Sequence, residues 1–209
     1  THVDDFQFDA ELLSSINSDF PARVSAGLLA GDSIDDLLWG RGQLLHGSDA
    51  GPVANADDWP GGEIWSGFGF NVSGRGLLGH YIDCDELPDL VVPISDGIIV
   101  FPGMSAAPHI GGDYQRLSPE SEGPWEPWDV ADLNDDHVPD LVVIGPAGLA
   151  ISFTTSSGTL GPLTPVMTPH PWVAARVADV DADGTPELIG LFADQDDVSG
   201  GFEIIAMNP

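Results

Sequence analysis

Along the chain, apolar residues come in short runs broken by Gly, Pro, Asp and Asn, and no run keeps a helical period beyond about two turns. Short apolar or alternating runs bounded by turn residues are the signature of strands. The runs fall into four groups. The first predicts strands at 22–29, 37–40, 43–46 and 63–70, and the second at 77–82, 90–94, 98–101 and 114–117. The third predicts 128–131, 141–144, 149–153 and 163–167, and the fourth 173–177, 188–192 and 202–206. A further stretch at 1–13 alternates at Phe6 and Phe8 and is expected to form one more strand, whereas residues 47–62, rich in Gly, Asp and Pro, read as an inserted surface loop.

Four groups of about four strands predict an all-β fold. The expected architecture is a β-propeller of four-stranded blades stacked on their apolar faces, with a solenoid as the second option. The repeats span approximately 22–70, 73–118, 125–168 and 172–209 within one domain, 1–209. The last group is one strand short, so residues 1–13 are expected to close it by pairing beside 202–206. Four repeats make a single small ring, half of a larger ring completed by a second chain, or part of a longer protein.

The polar residues between strands carry the candidate chemistry. From Asp132, taken as position 1, oxygen-bearing side chains recur at positions 1, 3, 5 and 9: Asp132, Asn134, Asp136 and Asp140. That alternation lets a looping backbone turn several hard oxygens toward one centre, as calcium requires. Asp179, Asp181, Asp183 and Glu187 repeat it, with Gly184 at position 6, where a sharp turn favours positive φ. The loop with Asp83, Asp85 and Asp89 has Tyr81 at position 1 and is weakened, and the loop with Asp32 and Asp36 keeps only positions 5 and 9. The ninth positions, Asp36, Asp89, Asp140 and Glu187, follow one another at 53, 51 and 47 residues, a repeat of roughly 50.

These loops resemble those of the FG-GAP (VCBS-type) repeat, the calcium-binding blade of integrin-like β-propellers. Phe68-Gly69 resembles the motif's FG, and Ile144-Gly145-Pro146 its GAP in degenerate form. The resemblance implies calcium ligands Asp132, Asn134, Asp136 and Asp140 with the backbone carbonyl of Val138, and Asp179, Asp181, Asp183 and Glu187 with the carbonyl of Thr185. It implies two occupied Ca2+ sites and a weaker third at Asp83, Asp85 and Asp89. The sequence departs from the family at Tyr81, around Asp32, and at Asp135 or His137, where glycine is frequent.

Composition narrows the function. Among 209 residues, 34 acids face five arginines and no lysine, for a net charge of −29. Such a chain repels nucleic acid and anionic membranes, whose phosphates need clustered cations. No apolar stretch approaches the ~18 residues of a membrane span, so no membrane insertion is expected. Of the acids, 26 are Asp and eight Glu, a bias toward loops and ion ligation. Cys84 stands alone, so no intrachain disulfide forms. Neither HExxH, GxSxG nor a phosphate-binding loop occurs, which leaves carboxylates as the only catalytic candidates.

The expected function is therefore a secreted or extracellular, calcium-stabilised propeller acting as a non-catalytic binding, adhesion or assembly module, because loops of this type load at millimolar ion. Its partner is expected to be a protein or a glycan, or a second copy in a homo-oligomer. The alternatives are a polysaccharide-active lyase or hydrolase, and a lectin stacking sugars on tryptophan. Trp39, Trp128 and Trp172 are expected in blade packing, and Trp59 and Trp65, at the insert, are the candidates for exposure.

Overall fold

In the computed structural model the ninth residue of every loop is also the first residue of a strand: Asp36, Asp89, Asp140 and Glu187 open strands of four, six, six and seven residues. The structure describes residues 24–27, 36–39, 43–45, 76–80, 82, 83, 85, 87–103, 113–118, 124–193 and 200–207, and for the strands at 24–45 and 77–80 the backbone only. The expected strands at 1–13 and 63–70, the insert at 47–62, the loop at Asp32, and Tyr81, Cys84, Trp59 and Trp65 lie outside the described residues.

Fourteen described strands form four antiparallel sheets, each a meander in chain order. The first holds β1 (Val24–Gly27), β2 (Asp36–Trp39) and β3 (Gln43–Leu45). The second holds β4 (Leu77–His80), β5 (Asp89–Ile94), β6 (Gly97–Phe101) and β7 (Gln115–Leu117). The third holds β8 (Glu126–Ala131), β9 (Asp140–Gly145), β10 (Gly148–Thr154) and β11 (Leu160–Pro165). The fourth holds β12 (Trp172–Ala178), β13 (Glu187–Ala193) and β14 (Gly200–Ala206). No helix occurs among the described residues, so none there is long and apolar enough to cross a membrane.

The sheets pack in series through their first strands: β1 against β4, β4 against β8, and β8 against β12. Among the described residues no substantial contact joins the fourth sheet to the first. Successive side chains of a strand point to opposite faces, and here both faces meet a neighbour. Leu141 and Val143 of β9 enter a core with Val91, Ile98, Val100 and Ile82 of the second repeat, while Val142 between them enters another with Trp172, Ala175 and Leu188 of the fourth. Two-sided burial is why β9 reads as a continuous apolar run rather than an alternation. At about 1.5–3 kcal/mol for each buried Val, Leu or Ile, these two cores are the main adhesive of the stack.

Strand starts differ from the sequence expectation by up to three residues, and two of the shifts share a reason. β8 begins at Glu126 rather than 128 and β11 at Leu160 rather than 163. Each extension carries a proline, Pro127 or Pro162, and each strand lies at an edge of its sheet, where a missing N–H costs no ladder bond. Trp172 is buried as expected, and Trp128 packs against the same core.

Candidate metal centre

Each loop is wound by its own acids. In the third, Asp132 accepts the amides of Asp136 (3.2 Å) and His137 (2.7 Å), Asn134 accepts Asp136 (3.1 Å), and Asp136 accepts Val138 (2.9 Å). The fourth repeats this bond for bond: Asp179 accepts Asp183 (3.1 Å) and Gly184 (3.0 Å), Asp181 accepts Asp183 (3.2 Å), and Asp183 accepts Thr185 (2.7 Å). In the second loop the position 3 and 5 bonds remain, Asp83 accepting Asp85 (3.2 Å) and Asp85 accepting Leu87 (2.7 Å). These side-chain to backbone turns are what Asp and Asn offer a chain that must coil without helix or strand.

The coiling puts positions 4 and 6 in the left-handed region: Asp135 (φ 59°) and His137 (66°) in the third loop, Ala182 (61°) and Gly184 (91°) in the fourth. Gly184 is suited to that conformation, and His137 holds it at a steric cost.

The ninth carboxylate is set apart. Asp140 is fully buried and accepts Leu133 N–H at 3.0 Å through Oδ2 and Thr154 N–H at 2.9 Å through Oδ1. Asp89, also fully buried, accepts Ile82 (2.5 Å) and Asp83 (3.1 Å) on Oδ2 and Gly103 (2.9 Å) on Oδ1. Glu187 accepts Val180 at 2.9 Å. Asp89 and Asp140 thus tie the loop's second residue to the far end of the next strand, a structural role that spacing alone does not reveal. Burial pushes the Asp89 carboxyl up to about 6, against the downward pull of the Gly103 and Ile82 amides. Burial likewise raises Asp140, and burial followed by the Asp85 charge raises Asp83.

Ligand-type atoms converge in all three described loops, within 4.8 Å of one another. The second brings together Asp83, Asp85 and Asp89, and the fourth Asp179, Asp181 and Glu187. In the third the converging carboxylates and imidazole belong to Asp132, Asp135 and His137. Sequence spacing passes over those last two, since they stand at even positions. Asn134 and Asp136 flank them through the turn bonds above, and Asp140 stands at the loop's buried end. The His137 ring is exposed, with Nδ1 3.7 Å from Asp132. Arg116 pairs with Asp96, and Arg176 donates to the Trp128 carbonyl at 2.6 Å, so those two cations serve other groups. Oxygen-rich clusters of this kind, which neither described arginine serves, fit a hard divalent ion.

Two cross-repeat contacts support the loops. Leu133, second in the third loop, is buried in the core that seats Trp172. Gln115 of β7 donates to the Gly158 carbonyl at 2.6 Å and accepts Leu160 N–H at 2.9 Å, stitching the second sheet to the β10–β11 turn, which presses on the backbone of Asp83.

An acid-lined loop leading into a strand, repeated on successive meander sheets, defines a β-repeat protein whose acid clusters could hold a metal ion. A family model described as an FG-GAP-like repeat matches residues 112–190, from β7 through the third sheet into β13, and the acid loop and strands there are consistent with that repeat. Comparison with curated proteins gives no match.

Proposed function

We propose that the chain is a non-catalytic binding and assembly module of the β-propeller type, stabilised by calcium and working outside the cell. The observation that carries this reading is the recurrence of one acid-lined loop at the head of the second strand in three successive sheets. Carboxylates gathered this closely repel one another, and a divalent ion removes the repulsion, so ion binding couples to the folding of each sheet. Asp132, Asn134, Asp136 and Asp140 with the Val138 carbonyl would hold one ion, and Asp179, Asp181, Asp183 and Glu187 with the Thr185 carbonyl a second. Asp83, Asp85 and Asp89, lacking an acid at position 1, would hold a third more weakly. Loops of this design in extracellular modules bind in the millimolar range, which supports an extracellular setting.

The cleft beside the second loop measures about 200 Å³ and is lined by Asp83, Val100, Pro102, Asp113, Tyr114 and Gln115. Small-molecule sites run to roughly 300–1,000 Å³. Recognition of a protein or glycan would then fall to surface turns. Calorimetric titration with calcium tests the reading: two strong sites and a weaker third are expected, with a fall in Tm on adding EDTA, and no binding at millimolar calcium rejects it. A glycan array followed by turnover assays separates the alternatives, since binding without turnover makes the module a lectin and turnover makes it an enzyme.

A further inference from the structure

The third sheet is buried on both faces and the fourth on one. Two and four residues past the position 9 acid, Val142 and Ile144 stand directly across from Ile151 and Leu149. This quartet is the face that receives the fourth sheet: Val142, Leu149 and Ile151 share a core with Trp172, Ala175 and Leu188, and Ile144 packs against it. One sheet earlier the same positions are Val91 and Pro93, opposite Val100 and Ile98, and Val91, Val100 and Ile98 share a core with Trp125, Leu141 and Val143.

In the fourth sheet the same positions are Ile189 opposite Ile204 and Leu191 opposite Phe202. All four are again apolar, yet Leu191, Phe202 and Ile204 are 52%, 68% and 49% exposed. Along β14 intermediate and exposed residues simply alternate. The chain has repeated a docking face that none of its described elements covers, and contiguous exposed apolar surface of this kind marks an interaction site.

The complementary half stands at the other end of the stack. Leu37 and Trp39 of β2 lie one and three residues past Asp36, the register positions held by Leu141 and Val143 in the third sheet and by Leu188 and Gly190 in the fourth. In those sheets it is Leu141, Val143 and Leu188 that meet the preceding quartet. The first sheet packs on β4 and has no preceding sheet among the described residues. A stack whose backbone register places the receiving positions at one end and the matching docking positions at the other can associate head to tail. We infer that Ile189, Leu191, Phe202 and Ile204 dock against the first sheet of a second copy of this chain. The inference deepens the assembly reading above by naming the partner. It stands apart from the calcium sites, whose titration can succeed while this fails.

Sedimentation equilibrium on the full chain in millimolar calcium tests it. A mass of at least twice that of the monomer is expected, strengthening as NaCl rises, because the contact is apolar and the −29 charge of each copy opposes it. Combining Phe202→Asp with Ile204→Asp is expected to return the monomer with calcium binding intact, whereas Met167→Asp, at an 88% exposed position off this face, leaves the assembly unchanged. A monomeric wild-type chain overturns the inference, as does an assembly that survives the double substitution or dissociates with salt. If the wild type is monomeric, maleimide labelling of Phe202→Cys in a Cys84→Ser background says which other occupant applies: a shielded thiol means the chain's own first sheet covers the face, and a reactive one means a different partner.

Discussion

Trp172 lies against the backbone of Gly190 so closely that a β-carbon there would fall 1.9 Å from the indole. Trp125 meets Gly145 in the same way one repeat earlier, at 2.3 Å. The Trp172 indole is further held by its N–H, which donates to Glu203 at 2.7 Å, and it is buried in the core between the third and fourth sheets. Gly190→Ala is therefore expected to displace a large, pinned side chain and lower stability by about 1–3 kcal/mol, the usual cost of overpacking. Urea unfolding monitored by tryptophan fluorescence checks it, and an unchanged midpoint would mean that the indole has room to move.

His137 and Gly184 hold the same left-handed turn in successive loops. Because a side chain with a β-carbon pays about 1–2 kcal/mol there and glycine does not, His137→Gly is expected to stabilise the protein, by up to about 1 kcal/mol after the added freedom of the unfolded chain is counted. A raised Tm at equal calcium is the readout. A fall would assign the exposed imidazole a ligand role beside Asp132 and Asp135.

The acids of one loop should separate by function when calcium is removed. Asp136→Ala deletes a proposed ligand and one partly buried turn bond, so its effect on Tm is expected to be large with calcium and smaller in EDTA. Asp140→Asn exchanges one of two accepting oxygens for a donor, which leaves the amide of Leu133 or Thr154 buried without a partner. That should cost about 1–3 kcal/mol in EDTA as well. Equal behaviour of the two variants without metal would remove the distinction.

The pH response should change sign with the ion. Asp89 titrates near 6 in the fold and near its ordinary 3.8 when unfolded, so the metal-free fold binds the proton more tightly than the unfolded chain. Its contribution is thus favourable below about 4 and is lost as pH rises through about 6. In EDTA, Tm is expected to climb as pH falls from 7 to 5, and Asp89→Asn should flatten that climb. With saturating calcium the same acidification protonates ligands and Tm is expected to drop. Parallel profiles with and without calcium would sink the idea.

Much of the fold was legible because both faces of the inner strands are buried, which writes them as uninterrupted apolar runs such as Leu141 to Ile144. The clustering of Asp83 with Asp85 and Asp89, and of Asp179 with Asp181 and Glu187, was legible because odd positions of a coiling loop turn to one side, whereas Asp135 and His137 stand at even positions and were passed over. What escaped depends on contacts distant in sequence. The pairing of Asp140 with Thr154 needs β10 in place before it exists, and Gln115 finds Gly158 and Leu160 only after two sheets have met. The cluster of His170, which bonds Glu203 and stacks on Phe192 at 4.1 Å, likewise joins residues more than 20 apart. The early starts of β8 and β11 escaped because Pro127 and Pro162 read as breakers, although an edge strand tolerates them.

The burial of Leu133 gives the stack a direction. This residue belongs to the third loop, its amide is fixed by Asp140, and its side chain forms part of the seat for Trp172 in the next sheet. Ile82 stands in the same relation to the third sheet, its amide on Asp89 and its side chain against Leu141 and Val143. A disturbance at one loop therefore travels toward the C-terminal neighbour by a packed side chain. Repeats coupled in this way behave as a one-dimensional relay. Emptying the third loop should speed amide exchange in β12 and β13 more than in β5 and β6, so the molecule would loosen from one end as a ratchet does, tooth by tooth.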